Sequence, residues 1–454
     1  MEQGSYITIG CDDQMKFPCP TLPAGFRRNA LAAGQGRARD ERDNFSILMT
    51  ETRPTAAKTA MPAAAILIAG CLVALLSFGP RSVMGAFQLP VFSSRSWGAG
   101  SFSIALAAQN LLWGVGQPFA GALADRLGSK YVLIAGAALY AAGLALMGQA
   151  QSALGFELGA GVLIGFGLSG ASFNLVLGAF AKLLPPEKHS MAFGLATAAG
   201  SFGQFLFSPL AGGLIEHFGW EAACMIFAAL ILPIVPLSLA LSTPPAAFSK
   251  QGGQGATFAR ALAHRSYVLL VLGFFTCGFQ LAFITVHFQR YIVESGLSPQ
   301  IGYWAIALVG VFNIFGSLLS GWLGSRMPRR YILSAIYFSR ALATALFIAL
   351  PPSPASALLF GAVTGLLWLS TVPPTSSLIG LMFGSKNLSM LYGFAFFSHQ
   401  LGGFLGVLLG GFFRESTGSY LPVWLLSIAL GVLSALVNLP IVEAQADPVA
   451  QPAE

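Results

Sequence analysis

The chain reads as an all-α integral membrane protein, with twelve transmembrane helices in two pseudo-symmetric six-helix bundles. Composition, the recurrence of apolar stretches and the placement of basic residues predict this together. Of 454 residues, 55% are hydrophobic and only 9% charged, and the mean hydropathy is +0.71. A soluble domain is about 25% charged, so this chain lacks the polar groups to cover a soluble surface. Its 37 phenylalanines and 53 glycines suit helices packed closely in lipid.

Residues 1–60 differ from the rest. Pro, Gly and Arg are scattered there without helical period, which predicts a disordered N-terminal extension. No secretory signal pattern is present, and a start at Met49 or Met61 is an alternative reading. From 61 onward, stretches of about 20 apolar residues recur, the length that crosses a bilayer. They fall at 63–87, 101–123, 131–150, 157–181, 190–214 and 222–241, an N-terminal bundle over 61–241. After a Pro/Gly/Gln-rich linker over 242–265 they continue at 267–289, 299–323, 331–350, 355–381, 389–412 and 420–441, a C-terminal bundle over 266–441. A short tail, 442–454, follows.

The positive-inside rule tests this count. With the N-terminus inside, the inner joints hold Arg53, Lys58, Arg126, Lys130, Lys182, Lys188, Lys250, Arg260, Arg265, Arg326, Arg329, Arg330 and Lys386. The outer joints hold only Arg95, Arg290 and Arg414. One miscounted span would exchange every later joint, so both termini are expected in the cytoplasm. The net charge of +7 then reports topology rather than nucleic-acid binding. The five cysteines (Cys11, Cys19, Cys71, Cys224, Cys277) have neither metal nor disulfide spacing.

An internal repeat supports two matched halves. At an offset of 200, Gly121, Leu123, Arg126, Tyr131 and Leu133 meet identical residues in the segment beginning at Gly321. At an offset of 199, Gly194, Gly203, Phe205, Leu206, Leu210, Gly212 and Gly219 meet identical residues between Gly393 and Gly418. In duplicated transporters the binding site lies near the midplane between halves that rock to expose it alternately.

Gly121-x-x-x-Asp125-Arg126-x-Gly128-x-Lys130, between the second and third stretches, resembles the signature loop of the major facilitator superfamily. Ser129 stands where a basic residue is usual. The echo at 321 has Ser325 for the acid and Pro328 for the glycine. The resemblance covers about 62–441 and implies that the loop's acid and base bridge helices on the cytoplasmic side and help set the inward-closed state. Pro209-x-x-Gly212-Gly213 is similar to the family's antiporter motif, with Ser208 in place of Gly. The fourth stretch lacks the family's frequent Arg and has Glu157 at its outer end. SFGPRSVMGAF and SHQLGGFLG look most like the monocarboxylate and oxalate–formate porter branch, which implies cations near the site in the first span and in the second half. Asn313 and His399 lie roughly where the second-half cations would be.

Arg81 and Arg340 sit in apolar stretches that carry no acid to pair with them. A charge in hydrocarbon costs roughly 2.5 to 17 kcal/mol, so it faces a cavity or a partner. Arg81 follows Pro80, where the helix should bend, and its planar fork suits a carboxylate. The competing reading is an arginine snorkelling to the interface. Arg340 lies about 14 Å into the ninth stretch at helical rise, and its competing role is to tie neighbouring backbones. Gln280 and His287 are two helical turns apart and share a face. His287, His399 and Glu157 are the candidate proton carriers, set against buried neutral histidines satisfied by neighbours. Gln109 and Asn313 are the candidates for polar groups lining the cavity, set against ordinary interhelical bonding.

The sequence therefore predicts a multi-pass carrier of the cell (inner or plasma) membrane, a monomer moving a small organic anion, a mono- or dicarboxylate. Substrate-binding residues are expected among Arg81, Gln109, Gln280, Asn313, Arg340 and His399. The gating loop is Gly121, Asp125, Arg126, Gly128 and Lys130. No phosphate-binding loop of ATPase type is present, so a gradient would drive it. Neither cofactor nor metal is expected, and no nucleophile, base or metal cluster suggests an enzyme. The alternative is a proton-coupled exporter of drugs or other hydrophobic compounds, which would want an acid in the cavity. A non-transporting membrane sensor would predict a folded soluble appendage.

Overall fold

The structure, a computed structural model, describes residues 61–95, 99–245 and 254–446. The expectation for residues 1–60 and for the end of the tail lies outside the described residues. Twelve helical spans occupy the rest. Span 1 is Ala63–Ser82 resumed as Gln88–Ser94, span 2 Ala99–Leu127, span 3 Ser129–Gln149 and span 4 Ala153–Leu183. Spans 5 and 6 form one run, Pro186–Ile231, turned at Gly219 (φ 81°) and completed by Ile234–Ala240. Then come span 7 (Arg265–Glu294), span 8 (Pro299–Gly324), span 9 (Arg329–Ala349), span 10 (Pro354–Leu367 resumed as Val372–Phe383), span 11 (Ser385–Thr417) and span 12 (Leu421–Asn438). The linker is not featureless, for Gln254–Ala263 is a helix.

The helices overrun their apolar stretches by a few residues at most ends, because a helix satisfies its backbone beyond the hydrocarbon as well as within it. The first six spans share one core, around Phe87, Phe180, Phe207 and Phe227. The last six share another, around Phe274, Phe347, Phe360 and Trp424. Large side chains such as Phe119, Leu239, Leu318 and Leu359 are exposed on the outside. Lipid is as apolar as they are, so helix association rests on close packing and polar ties. Span 4 shows the first device. A Cβ on Gly161 would fall 2.9 Å from the Ala105 carbonyl oxygen of span 2, and one on Gly159 2.9 Å from the Gly143 carbonyl oxygen of span 3.

Spans 1, 4 and 10 break. Span 1 breaks after Pro80 and Arg81, continuing through a 3-10 turn at Met84–Phe87. Span 4 breaks between Gly170 and Phe173, where the Ser172 hydroxyl accepts from the Leu175 N–H. Span 10 breaks between Leu367 and Val372. The freed backbone groups at the break in span 10 find side-chain partners. Arg340 of span 9 donates to the Leu367 and Trp368 carbonyls. Asn313 of span 8 accepts from the Leu369 N–H at 2.9 Å, and Ser320 donates to the Ser370 carbonyl. Irregular backbone at membrane depth persists only with such protein partners.

The two bundles meet over one half of their length. Arg126, Lys130, Lys182, Lys188, Arg326, Arg329 and Arg330 mark a basic face of the molecule. All recorded contacts between bundles lie at mid-depth or toward the opposite face. Ser103 packs on Gly411 and Gly114 on Gln400 between spans 2 and 11. Gly212 packs on Tyr303 and Gly310 on Ser201 between spans 5 and 8, and Gly85 on Thr285 between spans 1 and 7. Toward the basic face, Gly121, Gly194, Gly321 and Gly393 of the same helices have no atom within reach of an added Cβ. Among the described residues, the close approaches named here lie away from the basic face.

The signature loop holds the first bundle together. Asp125 forms an ion pair with Lys182 at the end of span 4. Ser129 receives the Thr243 N–H at 3.1 Å, and its own N–H goes to Thr243 Oγ1 at 3.0 Å. Gly128 lies at φ 94°, and a Cβ there would meet the Thr243 carbonyl oxygen at 2.6 Å. Backbone conformation and close approach both demand glycine. Gly128→Ala is therefore expected to destabilise the protein by about 1–3 kcal/mol, read as a lower melting temperature in detergent, whereas Gly121→Ala, facing open space, leaves it unchanged.

Candidate functional site

Arg81 lies just past the middle of the 32-residue run Ala63–Ser94, at the point where span 1 breaks. Pro80 supplies no N–H and cannot continue the ladder. The Tyr140 hydroxyl of span 3 reaches the Ser77 carbonyl at 3.4 Å and braces the turn. Arg81 as a whole residue is 8% exposed, so it is buried. Its Nη2 donates to Asn110 Oδ1 at 2.7 Å, and its centre lies 5.7 Å from the Trp113 ring. Nε is buried without a partner. Ion pairs among the described residues join Arg95 to Glu221, Lys182 to Asp125, Arg290 and Arg414 to Glu294, and Arg329 to Glu443. None reaches Arg81.

From Arg81 a polar path crosses to the other bundle. The Asn110 carbonyl accepts from Gln400 Nε2 of span 11 at 3.4 Å, and Gln400 Oε1 lies 3.0 Å from His399 Nδ1. An amide oxygen only accepts, so Nδ1 carries the hydrogen and Nε2 is left with a lone pair. An aromatic path runs beside it. Trp113 meets Phe396 edge-on at 5.4 Å, Phe396 stacks on His399 at 5.8 Å, and His399 lies 4.9 Å from Phe274 of span 7. Behind His399, Cys277 Sγ lies 3.3 Å from Thr371 Oγ1. The layer around Arg81 thus presents one guanidinium edge, two amides and an aromatic wall, at the junction of the bundles.

Of the residues singled out by sequence, Arg81 and His399 come together in this layer. Arg340 does not join them. It is 4% exposed and spends its Nε and Nη2 on the carbonyls at the end of the Pro354–Leu367 helix, where the helix dipole favours a cation. Gln109 donates to the Ala160 carbonyl at 2.7 Å, within the Glu157–Leu163 π-helical segment of span 4. Glu157 opens that segment, half-buried. Gln280 donates to the Ser427 carbonyl at 3.0 Å inside the second bundle. Asn313 bridges bundles instead, donating to Ser201 Oγ at 2.8 Å. His287 is sealed between spans 1, 11 and 12 near the opposite face. Arg126 and Lys130 remain on the basic face, Lys130 over the Tyr131 ring at 4.6 Å.

Sequence reasoning read Asn110 as an interhelical polar group and Trp113 as packing rather than cavity lining, and missed Gln88 and Tyr140 altogether. Asn110 and Trp113 lie three and four positions from neighbours on one face of span 2, a signal easily read as packing. Gln88 is two helical turns beyond Arg81, but the break between them rotates it away from the same face.

Comparison with known proteins follows this geometry. A bacterial relative, the "Uncharacterized MFS-type transporter YcxA" of Bacillus subtilis, is 26% identical over 80% of this chain and 92% of its own. Monocarboxylate transporter 13 of Bos taurus is 27% identical over 76% of this chain and 80% of its own. Monocarboxylate transporter 11 of Homo sapiens is 26% identical over 72% of this chain and 71% of its own. The crystal structure of a D-xylose-proton symporter superposes with a TM-score of 0.66 at 17% identity, covering 84% of this chain and 98% of that one, which bears on the fold alone. The Major Facilitator Superfamily model matches residues 66–373 and 291–453, and with twelve spans in two bundles around a shared central layer, this chain belongs to that superfamily of membrane transporters.

Proposed function

We propose that the protein is an alternating-access carrier of a small organic anion, a monocarboxylate, bound at Arg81. The observation that carries this reading is a buried guanidinium at the bundle junction with an unpaired edge and no acid within reach. A carboxylate arriving from solution completes it bidentately, the geometry Arg is built for. Arg340 turns its Nε and Nη2 to two backbone carbonyls of span 10, leaving only Nη1 unpaired, so Arg81 is the guanidinium that the layer presents. That favours a monoanion over a dianion, and the Trp113–Phe396 wall favours an apolar or flat remainder. The relatives named monocarboxylate transporters support the same class. A cationic or neutral hydrophobic cargo would find a positive charge instead of the acid it needs.

The basic face is cytoplasmic in this reading, with both termini there and the opposite face outside. The structure is then the inward-open state. Its contacts also specify the other state. Along spans 2 and 11, Ser103 faces Gly411 and Gly114 faces Gln400. Two further helical turns in that register bring Gly121 opposite Gly393. Along spans 5 and 8, Ser201 faces Asn313, and two turns further bring Gly194 opposite Ser320 and Gly321. The 200- and 199-residue offsets exchange these two pairs, as a rocking pseudo-dyad requires.

Three outcomes are expected. Small aliphatic or aromatic monocarboxylates raise the melting temperature of purified protein. Arg81→Ala abolishes that shift and weakens binding about tenfold to a hundredfold, while stabilisation by cations or sugars alone would remove the reading. Arg340→Met leaves two carbonyls unpaired and lowers stability by about 1–3 kcal/mol, with affinity retained in the folded fraction. Cysteine pairs at Gly121/Gly393 and at Gly194/Gly321 cross-link only when the cytoplasmic face closes, and the cross-link stops uptake in vesicles reversibly on reduction.

A further inference from the structure

His287 is completely buried where the bundles meet at the opposite face. Its Nε2 lies 2.9 Å from the Val407 carbonyl of span 11, so Nε2 carries the hydrogen. Nδ1 then holds one lone pair. Two donors aim at it: Gln88 Nε2 of span 1 at 3.4 Å and the Tyr420 hydroxyl of span 12 at 3.3 Å. The bond from Gln88 crosses between bundles. Gly410 makes room for the ring, since a Cβ there would fall 2.4 Å from it. The contact joins the two halves, the first supplying an amide and the second a titratable ring.

We propose that Nδ1 of His287 is a proton-binding site that controls the seal at the opposite face, the closed seal accepting only the neutral ring. A proton at Nδ1 takes away the lone pair that accepts from Gln88, and places a charge in a dry seat, which is costly unless it is paired. The charged groups around the ring do not pair it. Arg290 and Glu294 follow on the same span. Glu294 is already held by Arg290 at 2.6 Å and Arg414 at 2.9 Å, leaving the trio net positive. Tyr420 is the titratable group facing it from span 12, span 11 adds only Arg414 of that trio, and the facing group of span 1, Gln88, is uncharged. Parting spans 1 and 7 removes Gln88 and admits water, which solvates the imidazolium. Acid therefore favours the outward-open state, and by linkage the neutral ring favours the sealed one.

The test needs no substrate, so it stands apart from the reading of Arg81. Spin labels at the exposed positions Ser93→Cys and Ser416→Cys, in a background without native cysteines, report the separation of spans 1 and 11 at the opposite face. In nanodiscs, lowering the pH from 7.5 to 5.5 is expected to raise the long-distance population severalfold. His287→Gln removes that pH response. Gln88→Leu, which deletes the inter-bundle donor while leaving the ring, raises the open population at pH 7.5. Equal populations at both pH values in the unsubstituted background, a shift toward the short distance in acid, or an open population at pH 7.5 that Gln88→Leu leaves unchanged overturns the proposal, even should His287→Gln fail to fold.

Discussion

A guanidinium held at mid-membrane without a protein carboxylate constrains the rest of this molecule. Arg81 cannot be left in hydrocarbon, and no acid among the described residues approaches it. The fold responds by breaking span 1 at Pro80, bracing the turn with Tyr140 and giving the charge one amide and one ring face. Each of these partners is neutral. They lower the cost of burial without neutralising the charge, and that leaves attraction for an anion that enters from water.

The breaks in spans 1 and 10 divide the labour between charges. At span 1 the break exposes a cation to the junction. At span 10 the break exposes carbonyls, and Arg340 closes them off. Both arginines look alike in the sequence, each alone in an apolar stretch. Their roles separate only when the backbone near them is known, because a helix end can absorb a cation as well as a ligand can. This is why depth alone does not set the roles of Arg340, Gln109 and Gln280. All three have backbone carbonyl partners that hydropathy cannot show.

What was legible in the sequence was whatever depends on lipid. The twelve spans and the bends at Pro80 and Gly219 follow from hydrocarbon thickness and from residues that alter the backbone ladder. Gly128 was legible as a turn, but its docking against Thr243 was not, because that contact joins the ends of spans distant in sequence. The layer itself was half visible. Arg81 and His399 announced themselves as unusual residues in apolar surroundings. Their connection through Asn110 and Gln400 needs spans 2 and 11 in register, and no periodicity carries that.

The internal repeat explains why the site is asymmetric although the backbone is not. Contacts repeat between the halves: Gly203 of span 5 packs on Leu75 of span 1, and Gly402 of span 11 on Phe275 of span 7. With spans 5 and 11 offset by 199, spans 1 and 7 are offset by 200, and Arg81 meets Leu281. At the same offset Tyr140 meets Arg340. The halves keep small residues where helices touch and diverge where side chains do chemistry. Had Arg81 been repeated in span 7, two guanidiniums would flank the junction, and like charges in a low dielectric repel strongly unless a dianion lies between them. The apolar Leu281 leaves one positive group there. A single charge beside an axis can hold a single carboxylate in either orientation of the bundles, because the first bundle carries Arg81, Asn110 and Trp113 together as it rocks. The second bundle then needs only to close over the ligand, and its titratable ring at 287 lies on the seal rather than in the site.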